Sequence, residues 1–303
     1  MKRQSLIGRV AILLFSFLLF AEIGFAFPID LKDSLGNTVK LKSTPRRIIS
    51  LAPSITETLF AIGAGDKVVG VTTFDDYPPE VKRIFKVGGF SNPNLERILY
   101  LKPDLVLGIS NIHAEIVKRL RKLKVPCFTF KLFDKLSKLY YEIEVLGKLT
   151  GREKSAENLV KRIEKKIYQL REKGRILKKH PRVFMAIWDN PLVTIGRGSY
   201  IHELIEIAGG KSITSSLPAP FPLYSIENLA KESPDIIVVA GGKGGMSLSK
   251  ERVLRMLKGR GIKAVEEGNV YEVEGNLLFR LSPRIVDGIN ALYEIFRRWA
   301  EKD

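Results

Sequence analysis

Along most of this chain, short runs of consecutive apolar residues alternate with longer stretches in which apolar positions recur every three or four residues. Runs of the first kind read as buried parallel strands and stretches of the second as amphipathic helices, so the pattern predicts repeated strand–helix units. One unit occurs twice. Residues 94–107 return in altered form as 225–239: a capping residue (Asn94, Ser225), a glutamate two positions on (Glu96, Glu227), an amphipathic helix, a Pro-Asp pair and an all-apolar run. Asn and Ser side chains accept the orphan N–H groups of a first helical turn, and proline cannot continue the helix it follows. The duplication predicts two similar lobes.

The rest of the pattern falls into place around these copies. Alternation about Ser34-Leu-Gly-Asn37 predicts a hairpin over 27–42, expected to form a flap on the first lobe. Residues 47–51 read as a strand, 52–63 as a helix capped at Ser54 with Glu57 as capping-box partner, and 67–72 as a second strand, after which Pro78 and Pro79 force a loop. A helix over 114–123 and a strand over 125–130 follow the first copy. From 134 to 175 the chain reads helical, with a break at Leu149-Thr-Gly151. There, Ala156, Leu159, Val160, Ile163, Ile167 and Leu170 make one apolar stripe, expected to be a spine joining the lobes. The second lobe is predicted to hold a strand over 182–188, a helix over 201–208 stopped by Gly209-Gly210 and a proline-rich loop over 218–222. The second copy comes next, then a helix over 250–258, a strand over 269–273 and a final helix over 283–299.

Composition agrees with two domains: 303 residues at 45% hydrophobic content can bury two cores. Residues 1–26 carry Lys2, Arg3 and Arg9, an apolar run over 10–20 and a small-residue end at Gly24-Phe-Ala26, the pattern of a cleavable secretory signal peptide whose apolar run is too short to span a bilayer. An uncleaved anchor is the competing reading. The single cysteine, Cys127, excludes an intrachain disulfide and a cysteine-rich metal site and is expected inside a strand. With no cysteine at the cleavage point, the expected location is the periplasm, without a lipid anchor. The net charge of +17 concentrates over 154–182 among glutamates and without interleaved aromatics, which fits a solvated helix and argues against nucleic acid.

No enzymatic constellation stands out. Lys243 is followed by Gly244, so the glycine-rich stretch at 241–245 is a turn and not a phosphate-binding loop, and Ser199 lies outside a Gly-x-Ser-x-Gly elbow. A secreted hydrolase would have to rest on Ser199, and a cation-binding protein on His113 and His202; His180 is expected to be solvated. His113 follows the first lobe's central strand and is expected to reach a ligand. Phe74, Tyr77, Phe90, Trp188 and Phe221 collect in loops near strand C-terminal ends or helix starts, and open α/β sheets bind ligands at that edge. Arg280 reads either as a charged handle in that pocket or as a surface salt bridge. Glu96 and Glu227 are favoured by the helix dipole alone, but their matched placement also suits a symmetric partner with two basic sockets.

Taken together, 45–57, Asp76-Tyr-Pro-Pro79, Asn94-Leu-Glu-Arg-Ile98 with Lys102-Pro-Asp104, the helical spine and Ser282-Pro-Arg284 resemble the periplasmic binding proteins of iron-siderophore, haem and cobalamin ABC importers. Residues 75–79, 94–98 and 279–284 are most similar to its cobalamin binders. The resemblance implies that Phe74, Phe90 and Phe221 enclose the ligand, that Asn276 and Arg280 give it polar contacts, and that Glu96 and Glu227 dock arginines of a permease dimer coupled to its ATPase. Trp188 rests on its loop position alone. Phe stands at most positions where the cobalamin binders have Tyr or Trp, and Asn276 replaces an acid, so a ferric siderophore or haem stays open as the ligand.

The expectation is a non-enzymatic, monomeric α/β protein. It has two Rossmann-like lobes with parallel central sheets joined by a long helix: a signal peptide over 1–26, a first lobe over 27–151, a connecting helix over 152–177 and a second lobe over 178–303. No cofactor and no metal centre are expected beyond the ligand, cobalamin or another metal chelate.

Overall fold

The computed structural model, which describes residues 28–131, 135–242 and 248–302, begins with the predicted hairpin of β1 (Ile29–Lys32) and β2 (Thr38–Leu41), paired antiparallel. The signal-like segment 1–26 lies outside the described residues. The hairpin is not a flap. Asp33 at its turn has no exposed side-chain surface and is held by Arg121 and by the Thr129 hydroxyl at 2.7 Å, while Val39 and Leu41 are buried in the core. Both partners belong to the first lobe, so the hairpin is fastened to that lobe's edge strand.

The first lobe is a parallel sheet of β3 (Ile48–Ser50), β4 (Val68–Val71), β5 (Phe85–Lys86), β6 (Leu105–Ile109) and β7 (Cys127–Phe130) in the order β5-β4-β3-β6-β7. Its crossovers run through α1 (Pro53–Ala61), α2 (Leu95–Tyr100) and α3 (Ser110–Lys122). Every residue of β6 and β7 is buried, as expected of parallel strands covered on both faces. Cys127 sits there, and burial pushes its thiol up to about 12, so it is an inert core residue.

Two antiparallel helices follow, α4 (Lys138–Thr150) and α5 (Glu153–Arg175), separated at Gly151, which adopts φ 67° as a left-handed helix cap. All six stripe residues of α5 are buried. That stripe packs on α4 from one side and, from the other, on two helices of the second lobe, α6 (Tyr200–Ile207) and α11 (Ile285–Ala300).

The second sheet contains β8 (Arg182–Asp189), β9 (Leu192–Thr194), β10 (Lys211–Ser212), β11 (Ile236–Gly241) and β12 (Val270–Glu274). Its parallel order is β10-β8-β11-β12, with β9 turned back antiparallel on β8. The strand order β4-β3-β6-β7 of the first lobe is therefore repeated. Its other helices are α7 (Ile226–Glu232), α8 (Lys250–Leu257), α9 (Lys263–Glu266) and α10 (Gly275–Phe279).

The repeated unit forms the same structure twice. Asn94 caps α2 by accepting from Arg97 N at 2.8 Å, and Ser225 caps α7 by accepting from Asn228 N at 3.1 Å. Each helix is followed by a residue with positive φ, Lys102 at 46° and Ser233 at 42°. The aspartate of each Pro-Asp pair then grips the start of the neighbouring strand: Asp104 accepts from Arg47 N at 2.8 Å and Asp235 from Arg182 N at 2.9 Å. This contact sets the register of the central strands, Leu105 beside Ile48 and Ile236 beside Val183.

Candidate functional site between the lobes

The C-terminal strand edges of the two sheets face each other, because loops that leave them touch. After β4 the chain turns through Thr72 and Asp75, whose buried carboxylate accepts from Thr72 N at 2.9 Å. This closes a tight loop and pushes Phe74 and Tyr77 outward, 43% and 42% exposed. The Thr73 N–H donates to Gly88 O at 2.8 Å, so the loop carrying Phe90 lies directly alongside.

Phe90 is half-buried, and what holds it is His113. The imidazole stands edge-on to the Phe90 ring at 5.4 Å and 87°, its Nε2 donates to Phe90 O at 2.6 Å, and its Nδ1 accepts from Ile109 N at 2.8 Å. At 1% exposure His113 does not reach the cleft, contrary to the sequence expectation. The reason is the junction: α3 begins at Ser110 with no loop after β6, so position 113 folds back over its own strand, above Gly108, where a Cβ would lie 3.2 Å from Nδ1. Burial lowers the His113 pKa below the ordinary histidine value, against its hydrogen bonds to Phe90 and Ile109.

In the second lobe β8 ends at Trp188 and Asp189; the indole is 41% exposed and its Nε1 donates to Asn190 O at 3.0 Å. The proline-rich segment lies along β9, with Thr194 N donating to Pro222 O and Gly196 N to Pro220 O, both at 3.1 Å. Gly196 and Gly198 permit that approach, since a Cβ at either would come within 2.2 Å and 2.4 Å of backbone oxygens. Phe221 in this segment is half-buried against the core.

The polar residues expected to contact ligand are joined across the cleft instead. Arg280 follows α10, is 8% exposed, and donates to Asp76 at 2.6 Å, to Glu57 at 2.9 Å and to Phe74 O at 3.0 Å. It is therefore neither a free handle nor a surface salt bridge. Asn276 Nδ2 donates to Asp76 at 3.1 Å, Ser282 Oγ donates to Glu57 at 2.6 Å, and Arg284 lies 3.3 Å from Glu57 with its guanidinium 4.0 Å above the Tyr77 ring. Glu57 is the centre of this cluster, and the capping-box reading of it is corrected: α1 starts at Pro53 with Ala52 at the cap and no side-chain cap bond. Glu57 sits on the second turn with its side chain 1% exposed. Burial pushes its pKa up, against the hydrogen bonds from Ser282 and Arg280. Burial also opposes the Arg280 charge, but Asp76 and Glu57 outweigh it and hold that pKa above the ordinary value, so Arg280 stays a cation.

Glu96 and Glu227 stand exposed on the first turns of α2 and α7, and neither forms an ion pair with any described residue. The alternative readings find no assembled site among the described residues. Ser199 is 2% exposed and caps α6, and among the described residues no group of three histidines, cysteines or carboxylates could hold a metal ion.

Comparison with known proteins shows the family. The profile of the family described as periplasmic binding protein matches residues 48–277. An uncharacterized ABC transporter substrate-binding lipoprotein of Bacillus subtilis, YvrC, is 33% identical over 274 residues, covering 88% of this chain and 85% of the relative. The crystal structure of the periplasmic vitamin B12 binding protein BtuF of Vibrio cholerae superimposes with a TM-score of 0.70 at 25% identity, over 86% of this chain and 99% of that one. The periplasmic heme-binding protein RhuT from Roseiflexus sp. RS-1, in apo form, gives 0.77 at 25% identity, over 86% and 100%.

Proposed function

This chain belongs to the periplasmic binding protein family and is the substrate-binding component of an ABC importer, and we propose that its substrate is a corrinoid, held between the aromatic loops of the two lobes. The observation that carries the ligand class is the state of Arg280. A haem carries two carboxylates and many ferric siderophores are anionic, and such ligands call for free cations at their rim. Here Arg280 is bound by Glu57 and Asp76, and Arg284 by Glu57 and Tyr77. What the strand edges offer is large, partly exposed apolar surface at Phe74, Tyr77 and Trp188, with Phe90 and Phe221 behind, which suits a broad macrocycle whose rim bears uncharged amides. His113 has both nitrogens engaged and is not placed to ligate an iron.

Calorimetry on the purified mature protein tests this: cyanocobalamin is expected to saturate at one equivalent and to colour the protein. No heat with cyanocobalamin, together with saturation by haemin or a ferric siderophore, would move the chain to the anionic-chelate class. The pattern of residues 1–26 supports export with cleavage after Ala26 and no lipid anchor. An intact mass beginning at Phe27 checks it, while a lipid-modified mass, as for the B. subtilis relative, overturns it.

A further inference from the structure

Glu57 lies outside every group of residues assigned above to the ligand, yet it controls the charges nearest to it. Two cations of the second lobe, Arg280 and Arg284, and one hydroxyl, Ser282, converge on its carboxylate from positions more than 220 residues away in sequence. Asp76 accepts from the same Arg280 nitrogen, Nη1, as Glu57 does, but is itself 45% exposed, whereas the Glu57 side chain is 1% exposed. Behind the cluster, Glu57, Tyr77 and Arg284 border a cavity of about 240 Å³ whose walls add Arg162, Lys166 and Asp287. Cations outnumber carboxylates there. Removal of the Glu57 charge thus leaves one positive charge in excess among Arg280, Arg284 and Asp76, beside the loop that carries Phe74.

We propose that Glu57 is a specificity-determining residue: by pinning Arg280 and Arg284 it excludes anionic chelates and reserves the cleft for ligands with an uncharged rim. The proposal rests on the reading of the strand edges as the ligand cleft and deepens it, because the selection is made by a side chain beneath the aromatic surface. Arg280 donates to the Phe74 carbonyl, so the same side chain that Glu57 anchors also fixes one of the aromatic walls.

The test compares ligand pairs that differ chiefly in charge: cyanocobalamin against its monocarboxylic derivatives, in which one side-chain amide is hydrolysed, and haemin against haemin dimethyl ester, in which both propionates are capped by methyl groups. The readout is the ratio of dissociation constants within each pair, for the intact protein and for Glu57→Gln. The ratio is expected to move about tenfold or more toward the charged member in the variant, the size expected of one uncompensated charge at several ångströms. A uniform loss of affinity with unchanged ratios would overturn the proposal and leave Glu57 a structural residue. Should Glu57→Gln not fold, Asp76→Asn, at the more exposed end of the cluster, is expected to shift the ratio in the same direction by a smaller factor, and no shift there would equally overturn it. If the intact protein binds the haem pair and no corrinoid, the corrinoid reading fails while the haem ratio still decides the role of Glu57.

Discussion

The two lobes are built alike where the fold requires it and differ where they meet. In both, a capped short helix, a positive-φ residue and a Pro-Asp pair deliver a fully buried central strand, and Asp104 and Asp235 hold equivalent strand starts. At the strand ends the likeness stops. The first lobe presents carboxylates, Glu57 and Asp76; the second presents Asn276, Arg280, Ser282 and Arg284. The lesson is that duplication supplied the frame, and that opposite charges on its facing edges turned two similar lobes into one interlocked pair.

The strongest way to break this comparison is to remove one side of the interlock. Arg280→Ala leaves Glu57 buried with part of its compensation gone, and the expected cost is about 3 kcal/mol of stability in denaturant unfolding, near the lower end for such pairs because Arg284 and Ser282 remain. A loss below about 1 kcal/mol would place the contact among ordinary surface bridges.

The sameness of the frame is tested by Asp104→Ala and Asp235→Ala. Each removes a carboxylate that accepts a backbone N–H at an equivalent strand start, and each is expected to cost about 1–2 kcal/mol, in similar measure. Strongly unequal losses would show that the two copies no longer carry the same load.

A smaller effect should come from acid. His113 is neutral in its folded environment, with a pKa below the unfolded value, so between those two values the unfolded chain binds more protons and stability falls as pH drops through the range below about 6.5. Protonation also removes the lone pair that accepts from Ile109 N. Thermal unfolding of His113→Gln between pH 7.5 and 5.5 is expected to show a flatter pH dependence than the intact protein. An identical slope would assign the acid sensitivity to other groups.

The smallest structural effect is expected for Glu96→Ala combined with Glu227→Ala. Both side chains are exposed and without ion pairs to described residues, so the unfolding midpoint and ligand affinity should hardly move. If these are the docking acids, stimulation of the importer's ATPase is lost; full stimulation would return both to their helix-dipole role.

Much of the frame was legible along the chain, because it is written in local periods. The six-residue stripe of α5, the caps Asn94 and Ser225 and the Gly151 stop depend on neighbours within a few positions. The elements β5, β9, β10, α9 and α10 were missed because two to five residues are too few to establish a period. The expected flap failed for another reason: its alternation was read correctly as a hairpin, but Arg121 and Thr129, which fasten it, lie far along the chain.

The site divides along the same line. The sequence by itself determined that Phe74, Tyr77, Phe90 and Phe221 fall in loops and that one acid stands on the first turn of each repeated helix, because strand direction and helix phase are local properties. Trp188, grouped with those loop aromatics, belongs instead to the end of strand β8 and not to the loop after it. Only the tertiary structure decided what the charges do. Glu57 reads in sequence as a helix-capping acid and Arg280 as a ligand handle or a surface salt bridge, yet 223 residues apart they meet in a buried cluster, and His113 turns inward to brace Phe90. The sign and reach of a charge can be read from its side chain. Its partner depends on which surfaces the folded lobes bring together, and no local pattern carries that information.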